Sequence, residues 1–485
     1  MPGMAVASGK QAATASPAVP SQVREFALQQ SRNLFVEILV MLASSVVCIV
    51  LYFGGDADGA NYLAPATVLV VGGIANIHMV RQDPNTLLTP LFATRLIALV
   101  VFGIGALSHN WLSAIAQSSA DYMMVTSPEE AARVNMLWLG GMDVILIGVL
   151  ASLQLFSEMQ LRPKVFATHF SFNTALALVL FGFVPVFLIL TSYTLPNLIA
   201  NLFLALQLSG MFLMARISSN KISAYIWISL SIGALIMLSL FFMNKTIVLY
   251  PVLALVLGFI SIKASFTRIA LGSVTVLGLF IFIAPIVSQL RENHVEQHGS
   301  LGDISVGEQI EAISAQDFLH REQTEQPNSA NSRLDYVVPA AFAMNQYDSG
   351  FKIDTIENSA AALVPRFLWP DKPVLTTGDQ VNHRMGFQGT NSIGVTVFAD
   401  IYWNLGWVGL ILGFGMGIYT GLITIVSREL MRMDDWFMLP FVMAAFRMGV
   451  SLDGEFVASI LVPAVLNLVI FFGLRIVGNF LSHRV

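Results

Sequence analysis

Twelve apolar stretches, each about 17–27 residues long, constrain this chain more than any motif it carries; they fall at roughly 34–53, 62–80, 91–109, 136–156, 170–191, 194–215, 222–243, 246–263, 269–290, 400–426, 436–452 and 456–476. Crossing about 30 Å of hydrocarbon takes about 20 such residues in a helix. Lipid offers the backbone no hydrogen-bond partner, so a spanning segment must satisfy its own. The pattern therefore predicts an all-α polytopic membrane protein of about twelve transmembrane helices. Charge scarcity agrees: 11% of the 485 residues are charged, against about 25% in a soluble domain. A soluble globule and a disordered chain are both excluded. The single cysteine, Cys48, lies inside an apolar run, so there is neither a disulfide framework nor a cysteine metal site. No basic tract is dense enough to bind nucleic acid.

Four regions follow from the same pattern. Residues 1–33 are rich in Ala, Ser, Gln and Pro and read as a disordered cytoplasmic tail. Helices 1–9 occupy 34–290, a hydrophilic loop runs over 291–396, and helices 10–12 occupy 397–485. The first run, Leu34 to Phe53, spans a bilayer and lacks a clear cleavage site, so it reads as a retained helix and not a secretory signal.

Basic residues set the orientation. With the N-terminus cytoplasmic, fifteen of the 25 Lys and Arg residues fall on inside segments: Lys10, Arg24, Arg32, Arg81, Arg95, Arg162, Lys164, Arg216, Lys221, Lys263, Arg268, Arg428, Arg432, Arg475 and Arg484. Only Arg133, Lys245 and Arg447 lie near short outside connections, and seven fall in the long loop. Both termini are thus expected in the cytoplasm and the loop outside. That loop holds 14 acidic and 7 basic residues, a net of −7, while the rest of the chain nets +2. It is too long to be structureless in a compact protein unless it has a function, and Trp, Phe, Pro365, Pro370 and Pro373 mark it as folded.

Within the acidic loop stands a cationic group, Arg333, Arg366, Lys372, His383 and Arg384. Arginine presents a planar fork of donors to phosphate and lysine a compact charge, so the group suits a pyrophosphate at headgroup level. The bland reading pairs these cations with Asp335, Asp371 and Asp379 on a solvated surface. Lys245 and Arg447 sit near outer helix ends, where ionisable groups cost about 2.5–3.5 kcal/mol to insert and mark function by default. Their bland readings are snorkelling for Lys245 and a pair with Asp453 or Glu455 for Arg447. Arg95 reads as an ordinary cytoplasmic helix end. Asp400 opens the helix after the loop and could face the same site. Asp143, within a helix, suits a buried hydrogen bond as well as it suits catalysis. Tyr402, Trp403 and Trp407 fit an interfacial aromatic belt, and Gly413, Gly417 and Gly421, four apart, indicate close helix packing. No Walker loop, dinucleotide glycine pattern or HExxH spacing occurs. His294 and His298, in the most polar part of the loop, read as solvated surface and not as a metal site.

The runs ENSAAALVPRFLWPDKP, GDQVNH and SIGVTVFADIYWNLGWVGLILG resemble the Wzy-type O-antigen and exopolysaccharide repeat-unit polymerases, most closely over about 330–425. The resemblance implies a GT-C-like glycosyltransferase of the bacterial inner membrane with one large periplasmic loop. It would join undecaprenyl-pyrophosphate-linked oligosaccharides, using no nucleotide sugar, cofactor or metal. A flippase and a chain-length regulator of the same pathway are the implied partners. Arg333, Arg366 and Arg384, with Lys372 alongside, match the family's pyrophosphate-holding positions, and Lys245 and Arg447 would join them. Cations already in place stabilise the leaving pyrophosphate more than the ground state. The acceptor hydroxyl needs a base: His383, Asp379 and Asp400 are candidates, and histidine's titration near neutrality favours His383. Alternatives are a lipid-linked-oligosaccharide flippase, an O-antigen ligase and a non-catalytic assembly protein; the absence of internal repeats counts against the first, and the proline-rich element favours polymerase over ligase. Arg366→Ala should abolish polymer while single repeat units still reach the cell surface, as read on a glycan ladder gel. Arg366→Lys should be impaired as well, because a fork becomes a point charge.

Overall fold

The computed structural model describes residues 19–116, 126–159, 161, 171–190, 197–217, 222–263, 265–298, 335–364, 369, 377–385 and 394–482. Among them are helices and no strand. In chain order these are α1 (Val19–Phe53), α2 (Ala57–Gln82), α3 (Pro90–Ala98), a π-helical turn over Leu99–Gly105, and α4 (Ala106–Ala116). Next come α5 (Pro128–Leu155), α6 (Phe172–Gly182), α7 (Val184–Leu190), α8 (Asn197–Ile217), α9 (Ile222–Phe241), α10 (Thr246–Ile262) and α11 (Phe266–His298). Beyond 335 lie α12 (Val337–Asp348), α13 (Ser359–Leu363), α14 (Thr377–Met385), α15 (Val397–Leu405), α16 (Ile411–Arg432), α17 (Leu439–Gly449) and α18 (Val462–Ser482).

Eight helices among the described residues are long and apolar enough to cross a bilayer, and four shorter apolar helices (Phe172–Gly182, Thr246–Ile262, Thr267–Ile283 and Trp436–Gly449) fall where four further spans are expected. The 21 residues of α8 reach about 32 Å, the thickness of the hydrocarbon layer. Large apolar side chains such as Val50, Ile74, Phe282 and Phe472 stay exposed around the outside, which a chain surrounded by water would bury. The molecule is an all-helical polytopic membrane protein.

Local chemistry starts and stops these helices. The Ser127 side chain accepts from the Glu130 backbone N–H while the Glu130 carboxylate accepts from that of Ser127, a reciprocal cap with Pro128 in the first turn. Thr89 caps α3 ahead of Pro90, its hydroxyl accepting from the Phe92 N–H. Gly55, at φ +87°, makes the tight reversal between α1 and α2. α1 begins at Val19, well before Leu34, and Val23, Phe26 and Ala27 are buried. The segment read as tail is therefore helical from Val19 onward, because its apolar side chains find cover against the bundle.

Two cores run through the molecule. One gathers α1, α2, α4, α5, α12 and α15; the other gathers α8, α10, α17 and their neighbours. α5 and α16 form the tightest seam. A Cβ placed on Gly148 or on Gly417 would stand 2.9 Å from the other's Cα, and one on Gly421 would stand 2.7 Å from Ser152 Cβ. The glycine stripe is therefore packing, as its spacing indicates. Arg95, by contrast, is not an exposed helix end. It is 3% exposed and forks onto Glu37 of α1, with Nε 3.0 Å from Oε1 and Nη2 on Oε2. A cation this deep needs a carboxylate partner, and Glu37 supplies it from within the first apolar run. At the end of the bundle opposite residues 335–364, Arg428 pairs with Asp83 (2.6 Å) and Glu429, Arg432 pairs with Glu429 (2.8 Å), and Arg216 stacks 4.8 Å over Trp436.

Gly417→Val should lower the unfolding midpoint in detergent by the equivalent of about 1–3 kcal/mol. Gly415→Ala, whose Cβ meets nothing within 4 Å, should leave the midpoint unchanged; equal effects would remove the seam from the account.

Candidate functional site

Charges that sit far apart in the sequence meet at the end of the bundle that bears residues 335–364 and 377–385. Arg447, at the C-terminal end of α17, lines a cavity of about 180 Å³ together with Asn201, Thr246, Tyr250, Ser451 and Asp453. Its Nη1 donates to Asn201 Oδ1 of α8, and its guanidinium lies 5.7 Å from the centre of the Tyr250 ring on α10. The cap of α10 is Lys245, whose Nζ stands 5.1 Å above the Phe280 ring. Asp453, in the connection between α17 and α18, accepts from the Tyr336 hydroxyl at 3.2 Å. Burial holds the Asp453 carboxyl above the usual carboxylate range, while the Lys245 charge and the Tyr336 hydrogen bond pull it back. The Lys245 charge thus acts on Asp453 of the cavity that Arg447 lines. Neither bland reading describes them fully, since Lys245 acts on Asp453 and Arg447 engages Asn201 and Tyr250.

The cationic group of the 291–396 stretch is described only in part. Arg333, Arg366 and Lys372 lie outside the described residues, as do the side chains of Asp379 and His383, whose backbone belongs to α14. Arg384 of α14 is exposed; its Nη1 donates to Gln346 at 3.2 Å, and its guanidinium stands 5.8 and 5.7 Å from the rings of Phe351 and Trp403. Among the described residues, the Asp335 carboxylate meets His109 Nδ1 at 2.7 Å and the Val337 N–H at 3.0 Å.

Asp400 is fully enclosed. One of its oxygens accepts from the Thr377 hydroxyl at 2.8 Å and the other from the Phe456 N–H at 2.9 Å. With both oxygens engaged and no exposure, it cannot take a proton from a bound hydroxyl; it ties the start of α14 and the approach to α18 onto α15. Asp143 is likewise a buried hydrogen-bond partner, accepting from Ser45 at 2.6 Å. Of the aromatic belt only Trp407 is open. Tyr402 and Trp403 are buried, donating to Asp348 (2.8 Å) and to the Phe351 carbonyl (2.9 Å), and so they dock residues 335–364 onto the bundle.

The junction into α15 is strained. Thr396, a β-branched residue, sits at φ +71°, a conformation that costs about 1–3 kcal/mol and persists only where its surroundings impose it. The Trp138 indole donates to its hydroxyl at 3.0 Å, and the next N–H, that of Val397, donates to Leu452 O at 3.0 Å. Asn201, Tyr250 and Tyr336 escape sequence reading because nothing distinguishes them among apolar helices. His109 carried a signal that was passed over: a His-Asn pair inside an otherwise apolar run.

By its helices and their exposed apolar faces, the chain is a polytopic membrane protein with charged residues at both ends of the bundle. No protein-family model, curated protein or solved structure matches it.

The raised Asp453 titration fixes the sign of a pH effect. The native state holds this proton more tightly than the unfolded chain, so stability falls as pH rises from about 4, the ordinary carboxylate value, through the raised native value. Asp453→Asn should flatten that fall, as read from unfolding midpoints across the acid range, and an unchanged pH slope would show that Asp453 does not contribute.

Proposed function

We propose that the protein is a membrane glycosyltransferase that polymerises oligosaccharide repeat units carried on undecaprenyl pyrophosphate. In this reading it has about twelve spans in the bacterial inner membrane, both termini cytoplasmic and residues 291–396 periplasmic. The observation that carries the reading is Arg447 on the wall of a cavity at the pole that also bears Arg384, with the Lys245 charge acting on Asp453 of the same wall. Arg447 offers a fork of donors and Lys245 a point charge, the two modes by which proteins hold phosphate. The cavity, about 180 Å³, is smaller than the roughly 300–1,000 Å³ of sites that enclose drug-sized molecules. It suits a pyrophosphate head with the sugar lying outside. As the glycosidic bond to pyrophosphate breaks, charge builds on the leaving group, and cations fixed beside it stabilise that state more than the ground state. Arg333, Arg366 and Lys372 would act on the same leaving group from the periplasmic stretch, with His383 or else Asp379 as a candidate base.

The test is polymer synthesis by the full chain in liposomes supplied with lipid-linked repeat units. Arg447→Ala should reduce turnover by about 10²–10³-fold, the range for loss of a single donor to developing negative charge, and Arg447→Lys should recover only part of it. Undiminished polymer from Arg447→Ala and Lys245→Ala at normal expression would sink the pyrophosphate site. Movement of lipid-linked units between leaflets without polymer would instead identify a flippase.

A further inference from the structure

A second polar array lies at the same pole, and the pyrophosphate site makes no use of it. His109 of α4 is buried, with Nδ1 2.7 Å from Asp335 Oδ2 and Nε2 2.8 Å from Thr126 Oγ1. The carboxylate can only accept, so it places the imidazole proton on Nδ1 and leaves Nε2 as an acceptor. The Thr126 hydroxyl then donates to Nε2. Three separate stretches of chain converge here: α4, the residue before the Ser127 cap of α5, and the approach to α12. The other Asp335 oxygen is engaged by the Val337 N–H at 3.0 Å, which holds the carboxylate against the ring. Thr126, like Asp335, is half-buried, while His109 is enclosed. Behind His109 the side-chain N–H groups of Asn110 and Asn135 both donate to Asn61.

The array is coupled to the cavity through one dipeptide. Asp335 holds His109, and the adjacent Tyr336 donates to Asp453 on the cavity wall at 3.2 Å. Consecutive Cα atoms are about 3.8 Å apart, so the two arrays are anchored on the same short piece of backbone. A carboxylate orienting an imidazole that in turn accepts from a hydroxyl is the arrangement by which proteins activate an O–H group.

We propose that Asp335, His109 and Thr126 form a proton relay that receives the proton of the attacking sugar hydroxyl; this rests on the glycosyl-transfer reading above. The acceptor oxygen forms a bond to the anomeric carbon as the bond from that carbon to the pyrophosphate oxygen breaks, and the electron pair leaves with pyrophosphate. The acceptor's proton passes to Thr126 Oγ1 while Thr126's own proton passes to His109 Nε2. The resulting imidazolium is paired with the Asp335 carboxylate and later loses its proton to water. Thr126 touches the acceptor, His109 takes the proton, and Asp335 is a positioning residue.

The experiment measures steady-state transfer by the full chain in liposomes, with a lipid-linked repeat unit as both donor and acceptor. Thr126→Val keeps the side-chain shape and removes the hydroxyl. It should lower kcat by about 10²-fold or more, the scale of general-base catalysis, with KM and the unfolding midpoint unchanged. Thr126→Ser should restore the rate, His109→Ala should match Thr126→Val, and Asp335→Asn should lower kcat less. Near-wild-type kcat in both Thr126→Val and His109→Ala would overturn the relay and leave the glycosyl-transfer reading standing. Losses that only track the amount of folded protein would likewise overturn it, by making the array a staple for α12. A wild-type chain that transfers nothing would overturn both readings together.

Discussion

A charged or strongly polar side chain among apolar helices must be answered by a partner, and the interior of this protein is arranged around that cost. Glu37 and Arg95 answer each other across α1 and α3. Asp143 takes the Ser45 hydroxyl, and Asn61 gathers the amides of Asn110 and Asn135. Asp400 satisfies both its oxygens with groups from outside its own helix. Each pairing joins elements that apolar contact alone would let slide, because two greasy helices pack nearly as well in several registers. Replacing such a pair by apolar residues need not weaken a bundle, but removing one partner leaves a buried charge alone. These contacts therefore specify the arrangement more than they stabilise it.

The glycine seam between α5 and α16 lets that arrangement close. With no side chain at Gly148 or Gly417 the two backbones touch, and the short α15 ahead of α16 is drawn over the loop-bearing end of α5. There Trp138 of α5 reaches the strained Thr396, while Tyr402 and Trp403 receive residues 335–364. The 335–364 stretch brings Asp335 to His109 and Tyr336 to Asp453. Close packing deep in the bundle is thus coupled to which polar groups share its pole.

The fold was largely legible in the sequence because bilayer thickness and backbone hydrogen bonding act on local composition. Apolar runs located the helices, and Gly413, Gly417 and Gly421 announced a packing face. Lys245 and Arg447 stood out because so few charges compete with them. The same reasoning misplaced Arg95, since a charge near the end of an apolar run looks alike whether it meets water or a buried carboxylate. It misjudged Asp400 and Trp403 for a related reason: a helix start after a loop resembles a site edge or an interface until the loop folds back over it. It overlooked the helical stretch from Val19, where polar residues dilute the apolar positions that α1 buries.

Hydropathy and residue spacing are properties of neighbours along the chain, so the sequence by itself determined an all-helical membrane protein, the positions of its apolar helices, and the gathering of its spare charges toward two poles. Which polar residues meet was decided only by tertiary structure. Arg447 reaches Asn201 across 246 residues and His109 reaches Asp335 across 226. Such meetings depend on how helices rotate and cross when their surfaces interlock, and no local pattern encodes that geometry.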